Sequence, residues 1–475
     1  MGPRTIVEKI WDAHRASGEG TAIVADRVMI HERQLGTLGR MAASGVPVPG
    51  AAQVVACADQ QMPTGGSGPD GDAGVGLDLD TGEIPAADAQ VLAALDRLEA
   101  SSELIDVPVF GPGDHRGGVM NVVAPEQGMT LPGALVVGAD RHMSTHGAFG
   151  AIGLALDDAE LTAYLADGTI DRPRPRVVRV TVAGQLGSLA GAKDLALWVL
   201  ARLGPTTAAG AVVEIGGPTV RRLDVDARMT LCNLLVESGA LTAVVEPDDT
   251  TFAYLEGRPF APSGSEWHRA VAGWRQLRTD PGAELDAELG LVAPDVEPHA
   301  SWGTAAWQAT TLAGRVPAPD PDDPVRRAAD ERALVDQQLE PGSPLADISV
   351  DHVFVGSCAN GRLDDIRAVA ELLRGRRVAV PTWVVPGSRT VARQAEAEGL
   401  HRAIRDAGAE WRSAGCSLCI GVNGDAVARG ARLASTANRP ERGLVGPGAR
   451  VHVLGPAAAA ASALTGHLTD PRSLR

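Results

Sequence analysis

Short apolar runs alternate with helical patterns along nearly all of this 475-residue chain. The runs are rich in Val and Ile, as at residues 54–57 and 177–182, and stretches rich in Ala, Leu and Arg separate them, such as the helix that we predict at residues 192–203. Strands that alternate with helices are typical of layered α/β folds. The length predicts two to four domains rather than a single core. We therefore expect an α/β protein of several domains.

Two segments without apolar periodicity divide the chain. Residues 172–176 alternate Arg with Pro, and residues 317–324 contain only Pro, Asp and Ala. Within the first part, the Gly- and Asp-rich residues 63–82 are typical of a long loop, and residues 87–98 of a helix. The predicted units are α/β domains at residues 1–178, 179–295 and 325–475, with a linker at residues 296–324.

Charge and composition exclude several classes of protein. The formal net charge is −16, whereas binding to nucleic-acid phosphates requires a basic face. No uncharged apolar run reaches the roughly 18 residues of a membrane span. The N-terminal residues lack the apolar core of a secretory signal. We expect a cytoplasmic protein that binds neither nucleic acid nor membrane.

A polar turn follows the apolar residues 134–137. In the sequence GADRHMSTHGAFG, residues 138–150, Asp140, Arg141 and His142 come directly after that run. We interpret the stretch as the end of a buried strand, a polar turn, and the start of a helix in the apolar residues 149–155. Because open α/β sheets bind ligands at the carboxyl ends of their strands, a ligand site is expected here. Taken alone, such side chains are more often capping and surface groups.

Three of the five cysteines lie in glycine-flanked turns. Cys358 follows the strand predicted at residues 353–355, and Cys416 and Cys419 form a C-x-x-C pair. Few, widely spaced cysteines in a large chain indicate buried thiols, catalysis or metal binding rather than a disulfide framework. Three thiolates could hold three irons of a cubane and leave the fourth iron open to substrate. A zinc site or a redox pair remains an alternative on spacing alone.

Eight motifs occur in a specific order over nearly the whole chain. They are EKIWDAH (8–14), PEQGMTLPG (125–133), STHGAFG (144–150), RMTLCN (228–233), FAYLEGRPFAP (252–262), GSCANG (356–361), PGS (386–388) and AGCSLC (414–419). In this order they resemble the aconitase superfamily, in particular the large subunits of 3-isopropylmalate dehydratase. The resemblance implies three α/β domains of the aconitase type around a [4Fe–4S] cluster on Cys358, Cys416 and Cys419, without the swivelling fourth domain. It also implies dehydration and rehydration of a small hydroxy-carboxylic acid.

The resemblance further implies a partner. In the family, the base that removes the carbon-bound proton is a serine of the swivelling domain, which isopropylmalate dehydratases carry on a separate small subunit. No segment of this chain resembles that serine and arginine motif. A small-subunit partner is therefore expected, in a heterodimer or a larger assembly.

The resemblance assigns roles to individual side chains. The residues that match catalytic positions are Asp59, Asp140, His142 and Glu237. Of these, His142 matches the histidine that protonates the substrate hydroxyl, and Glu237 the glutamate that contacts iron-bound water. Arg439 matches an arginine that binds a substrate carboxylate. The asparagines that match positions near the cluster are Asn233, Asn360 and Asn438.

Three residues near the expected substrate depart from the family pattern. Gln60 and Asn121 stand where the family has histidines, and Arg141 replaces a serine. Gln and Asn form hydrogen bonds but do not titrate near neutral pH as His does. An arginine beside Asp140 favours the ionised carboxylate and can bind a substrate anion. These departures spare the cysteines, which indicates a changed substrate or reaction with the cluster kept.

Two further departures concern substrate contacts. Thr37 stands where a glutamine is expected, and Leu444 where a second carboxylate-binding arginine is expected. Arg442 or Arg450 could supply that arginine after a small loop shift. The two other cysteines, Cys57 and Cys232, are expected to be buried, and three further histidines, His14, His31 and His146, to be structural.

Three hypotheses remain open. The first is the large subunit of an iron–sulfur hydro-lyase or isomerase that acts on 3-isopropylmalate or a related malate-like acid. In the second, a divergent member of a specialised biosynthetic pathway uses the open iron on a different substrate or reaction. The third is a non-catalytic cluster-binding or scaffold protein, and the acidic charge argues against an RNA-binding version of it.

Overall fold

The computed structural model describes residues 2–16, 20–45, 53–62, 64–65, 107–111 and 113–474. The strands of this part form three main sheets, and every strand pair within these three sheets is parallel. Parallel strands need crossover connections, which helices supply here. The α/β class predicted from the sequence is confirmed. The helix predicted at residues 87–98 lies outside the described residues, as does nearly all of the loop predicted at 63–82.

The first sheet is built from residues before 160. The strands of this region are β1 (Ala22–Ile23), β2 (Arg27–His31), β3 (Val54–Cys57), β4 (Val109–Phe110), β5 (Leu135–Gly138) and β6 (Ile152–Ala155). The helices are α1 (Ile6–Ala13), α2 (Glu32–Ala43), α3 (Met120–Glu126) and α4 (Asp158–Asp167). The sheet order is β4-β3-β2-β5-β6, while β1 pairs antiparallel with β7 (Ile170–Asp171).

The second sheet follows directly. Its strands are β8 (Arg176–Leu186), β9 (Ala211–Gly216), β10 (Thr242–Val244) and β11 (Ala287–Val296), in the order β10-β9-β8-β11. Its helices are α5 (Ala192–Leu203), α6 (Pro218–Arg221), α7 (Val225–Leu235), α8 (Asp249–Leu255) and α9 (Gly264–Trp274). After α7 the chain tightens into a 3₁₀ turn, Val236–Ser238, which carries Glu237.

The third sheet contains the cysteine motifs. Its strands are β14 (His352–Val355), β15 (Thr382–Val384), β16 (Glu410–Trp411), β17 (Arg432–Ser435) and β18 (Arg450–Val453), in the order β16-β15-β14-β17-β18. The helices from residue 324 onward are α10 (Pro324–Gln337), α11 (Ser357–Asn360), α12 (Leu363–Leu373), α13 (Arg389–Ala397), α14 (Leu400–Asp406) and α15 (Pro456–Thr465).

The segment predicted as a linker, residues 296–324, carries structure of its own. It contains an antiparallel hairpin of β12 (His299–Ser301) and β13 (Ala309–Thr311). Trp307 packs into the core of the second sheet, and Leu312 packs into the core of the third. The segment therefore joins two cores by burial and not only by covalent connection.

The stretch after β5 differs from the sequence-based expectation. Arg141–Phe149 forms a 3₁₀ helix, capped by the Asp140 side chain, and the following apolar run forms β6 rather than the start of a helix. At Gly153 in β6, an added Cβ would lie 1.9 Å from the carbonyl oxygen of Met143. This close contact requires glycine there, and a short buried apolar run does not by itself distinguish strand from helix.

The carboxyl ends of strands from the first and third sheets face each other. Asp59 and Asp140 follow β3 and β5, and Cys358 follows β14. The backbone N–H of Cys416 donates to the Asp59 carbonyl oxygen (3.4 Å), which joins the two edges. Ligand sites in α/β folds lie at such strand ends. In the described residues, none of the helices combines the length and apolar character needed to span a bilayer.

Candidate functional site

The three cysteines of the predicted constellation are buried and interact with one another. Cys358 lies on α11 directly after β14, and Cys416 and Cys419 flank a 3₁₀ turn at Ser417–Cys419. A hydrogen bond between Cys358 and Cys419 raises the pKa of Cys358 and lowers that of Cys419. Burial, followed by the nearby charge of Asp59, raises the pKa of Cys416. The structure thus places all three predicted thiols in one pocket.

The donor set of this pocket fits the group that the resemblance implies. Within the described residues, no group of three His, Cys, Asp or Glu side chains is arranged around one metal ion. A [4Fe–4S] cluster binds each thiolate through a different iron. Three buried thiols without a fourth cysteine fit a cluster with one open iron.

A line of buried polar side chains leads to Cys358. Asn233 on α7 donates from Nδ2 to the Cys358 Sγ (3.2 Å), and Asn438 donates from its Nδ2 to Asn233 Oδ1. Lys193 on α5 donates to Asn438 Oδ1 and to the Thr436 carbonyl oxygen (2.7 Å). An ammonium group only donates hydrogen bonds, so Lys193 sets the orientation of both amides. Burial lowers the pKa of Lys193 to about 7.

The third asparagine of the prediction does not join this line. Asn360 Nδ2 donates to Asp365 Oδ1 (2.9 Å) and Thr230 Oγ1 (3.4 Å). Its amide therefore supports the turn that follows Cys358 and not a cysteine sulfur.

Asp140, His142 and Glu237 form a connected acid–base group. Asp140 Oδ1 accepts the backbone N–H of His142 (2.8 Å) and lies 3.5 Å from its Nδ1. His142 Nε2 lies 3.2 Å from Glu237 Oε1, and Arg141 Nη2 lies 3.0 Å from Glu237 Oε2. Burial raises the pKa of Asp140, but the positive charges of His142, His31 and Arg439 outweigh it and lower this pKa to about 2. Asp140 therefore orients the imidazole as a carboxylate.

Asp59 forms a second buried pair that was not expected. Its Oδ1 lies 2.7 Å from His31 Nδ1, and its Oδ2 accepts the backbone N–H of Met120 (2.9 Å). Glu32 Oε2 accepts the backbone N–H of Asp59 (3.0 Å). From the sequence alone, His31 is expected to be merely structural. Its position at the end of β2, beside the strand that precedes Asp59, is the signal that could have revealed it.

This pair makes the stability of the fold depend on pH. Burial lowers the pKa of His31, but Asp59 raises it from 6.5 to about 9. The stabilisation is complete below pH 6.5 and is lost as the pH rises through 9. In urea unfolding below and above this window, we expect stability to fall with rising pH by more in the wild type than in His31→Gln. The same pH dependence in both proteins would contradict the assignment.

The two positions that lack the family histidines are both buried. Asn121 on α3 is 0% exposed, and in the described part of the chain neither atom of its amide has a hydrogen-bond partner. Its neighbours Val119 and Val122 pack against Cys358 and Cys416, so α3 borders the cysteine pocket. An unpaired buried amide costs about 1–3 kcal/mol, which points to a functional role. Gln60 lies beside Asp59 in the turn after β3.

The structure also locates the arginines named for substrate binding. Burial lowers the pKa of Arg439, but the charges of Cys419, Asp140 and Glu237 raise it overall, so its guanidinium faces the site. Arg442 instead pairs with Asp336 (3.2 Å).

Three other named positions lie apart from the acid–base group. Arg450 donates to the Asp336 carbonyl oxygen (3.1 Å), and Leu444 packs against an apolar cluster. In this conformation both Arg442 and Arg450 contact Asp336, so a replacement for the arginine expected at position 444 stays a prediction. Thr37 accepts a hydrogen bond from Arg40 Nη2 (3.0 Å) on an exposed part of α2.

Comparison with known proteins identifies the family of this chain. The model of the aconitase family (aconitate hydratase) matches residues 8–466. The chain belongs to the aconitase family. The family and these relatives confirm the prediction that the chain is a hydro-lyase.

Two relatives of this aconitase-family chain match it along nearly their full length. The "3-isopropylmalate dehydratase large subunit" of Roseiflexus castenholzii is 42% identical over 479 aligned positions, which cover 99% of each chain. The protein of the same description from Anaeromyxobacter dehalogenans is 43% identical over 478 positions, covering 99% of this chain and 97% of its own. Among solved structures, Thermococcus kodakaraensis aconitase X (holo-form) aligns with a TM-score of 0.46 at 13% identity, over 91% of this chain and 87% of its own.

Proposed function

We propose that this aconitase-family chain is the large subunit of an iron–sulfur-dependent hydro-lyase or isomerase. Its substrate would be a small malate-like hydroxy acid, which it dehydrates and rehydrates together with a separate small subunit. The observation that carries the proposal is the meeting of three buried thiols with an oriented histidine at facing strand ends. The relatives described as 3-isopropylmalate dehydratase large subunits support it.

Cys358, Cys416 and Cys419 would hold the [4Fe–4S] cluster. When bound, such a cluster supplies a Lewis acid at its open iron, which favours departure of the substrate hydroxyl. The N–H that Asn233 donates to Cys358 Sγ would support this sulfur as an iron ligand. The Cys358 sulfur, the Asn233 amide and the Lys193 ammonium group are all buried, so the fold itself holds them in place.

The chain's own residues would bind and protonate the substrate. His142 would donate the proton to the departing hydroxyl, because its ring is held between Asp140 and Glu237. Arg439 would bind a substrate carboxylate through its planar guanidinium. The carbon-bound proton would be taken by a base of the small subunit. The description of the relatives as large subunits supports this assignment of the two proton transfers to two different subunits.

A second candidate has specific support. Gln60, Asn121 and Arg141 place two non-titrating amides and one added cation around the same site. A hydro-lyase with these groups would act on an acid other than 3-isopropylmalate, in a specialised pathway. The added cation is the strongest of these observations, because it contacts Glu237 directly (3.0 Å).

The decisive assay uses the chain reconstituted anaerobically with iron and sulfide. We expect turnover of a hydroxy acid only when the small subunit is added, with 3-isopropylmalate, citrate and malate analogues as candidates. Turnover of 3-isopropylmalate would support the first candidate, and turnover of a different acid the second. No turnover of any acid by the fully loaded complex would contradict both.

A further inference from the structure

Arg141 links three separate parts of the fold. It lies in the 3₁₀ helix after β5, and its Nη2 contacts Glu237 Oε2 (3.0 Å) in the turn after α7. The same atom contacts Glu441 Oε1 (3.1 Å), in the loop that follows β17 and carries Arg439. One guanidinium nitrogen of Arg141 therefore contacts two carboxylates, one that follows a helix of the second sheet and one that follows a strand of the third.

The two carboxylates are held very differently. The side chain of Glu237 is 8% exposed, and His142 Nε2 lies 3.2 Å from its second oxygen. The side chain of Glu441 is 48% exposed, and in the described residues Arg141 is the cation with which it pairs. Exposed ion pairs contribute only about 0–1 kcal/mol. Glu237 is thus a fixed partner of Arg141, whereas Glu441 is one that another carboxylate can replace.

The guanidinium groups of Arg141 and Arg439 retain unused capacity. In the described part of the chain, the buried Nε of each has no hydrogen-bond partner. Arg439 precedes Glu441, the exposed partner of Arg141, by two residues on the same loop, so the two arginines lie beside the same space. A guanidinium binds a carboxylate best through two parallel N–H donors, one of which can be Nε.

The positions of Arg141 and Arg439 determine which part of a substrate each arginine would contact. Arg439 directly follows Asn438, whose amide belongs to the hydrogen-bonded line that ends at the Cys358 sulfur, so this arginine lies towards the cysteine pocket. The side chain of Arg141 is 39% exposed and lies at the outer edge of the acid–base group. A carboxylate on Arg141 would therefore belong to the end of the substrate furthest from the cysteines.

We propose that Glu441 occupies the position on Arg141 that a distal carboxylate of the substrate takes. Arg141 is then the residue that sets specificity, and the substrate is a hydroxy acid whose distal substituent is a carboxylate and not an alkyl branch. The proposal rests on the proposed hydro-lyase function and narrows its substrate class. An alkyl branch beside this half-exposed cation would gain nothing from it and would partly desolvate it.

The test measures binding and not turnover, so its failure is distinct from failure of the proposed function. Calorimetry on the iron-loaded chain would give the Kd of citrate, which carries three carboxylates, and of 3-isopropylmalate, which carries two carboxylates and an alkyl branch. We expect citrate to bind the wild type more tightly. Arg141→Gln should weaken citrate binding about tenfold or more, because it removes a charge-assisted contact, and leave the Kd of 3-isopropylmalate nearly unchanged.

Glu441→Gln separates a competing carboxylate from a supporting one. If Glu441 occupies the substrate position, its removal should tighten citrate binding about threefold or more, in line with the small value of an exposed ion pair. Arg442→Gln is the matched control, because Arg442 lies on the same loop and pairs with Asp336. It should leave both Kd values unchanged. Weaker or unchanged citrate binding in Glu441→Gln, or an equal loss for both acids in Arg141→Gln, would overturn the proposal.

Discussion

We expect Cys416→Ala to leave the reconstituted chain with little or no bound iron. The pocket offers three thiols, and Cys416 is one of them, 6% exposed and fixed through its backbone to Asp59. Loss of one ligand leaves a cubane with two thiolates and two open irons, which exposes it to dissociation. Iron and sulfide per chain, with the visible absorbance of the cluster, measure the effect after anaerobic reconstitution.

Cys232→Ala is the matched control for this experiment. Cys232 is also fully buried, but it packs in the apolar core of the second sheet. Its removal should lower the unfolding midpoint slightly, by the cost of a small cavity, and leave the iron content as in the wild type. Full iron occupancy in Cys416→Ala, or equal loss of iron in both variants, would contradict the assignment of the pocket.

The second large effect is expected at His142. In the complete complex, His142→Gln should lower kcat by about 10²–10⁴-fold, the usual contribution of a general acid. Glutamine retains a hydrogen bond to Glu237 but cannot deliver a proton. The measurement is kcat at saturating substrate, together with iron content to show that the cluster remains.

His146→Asn provides the comparison on the same 3₁₀ helix. His146 is fully buried, Thr130 Oγ1 lies 2.7 Å from its Nδ1, and burial lowers its pKa to about 3. It is therefore neutral and its Nδ1 pairs with Thr130, so its replacement should affect stability and not kcat. A loss of less than about tenfold in His142→Gln would exclude this histidine as the proton donor.

Local sequence patterns predicted the elements whose signal is contained in a short stretch. The helix predicted at residues 192–203 coincides with α5, because its apolar spacing and the glycines at both ends define it. The polar residues at 140–142 and Cys358 were expected at strand ends, and the structure has them directly after strands. Residues 149–155 were assigned to the wrong element, since their conformation depends on the contact of Gly153 with Met143.

The rest of the site depends on contacts between distant parts of the chain. No local pattern connects His31 with Asp59, 28 positions apart, or Arg141 with Glu441, 300 positions apart. The burial of Trp307 and Leu312 within a segment rich in small residues likewise requires two neighbouring cores. Such contacts arise from the packing of the sheets, which single residues do not encode.

The line from Lys193 through Asn438 and Asn233 to Cys358 has a consequence for how the protein matures. Lys193 and Asn233 belong to helices of the second sheet, and Asn438 and Cys358 follow strands of the third. The donor to the sulfur is therefore aligned only after these two parts of the chain have docked. The entropy cost of ordering this donor is met during folding, so a metal would encounter a rigid pocket. In the proposed function, iron would therefore meet the Cys358 sulfur with its donor aligned only in chains whose second and third sheets have docked.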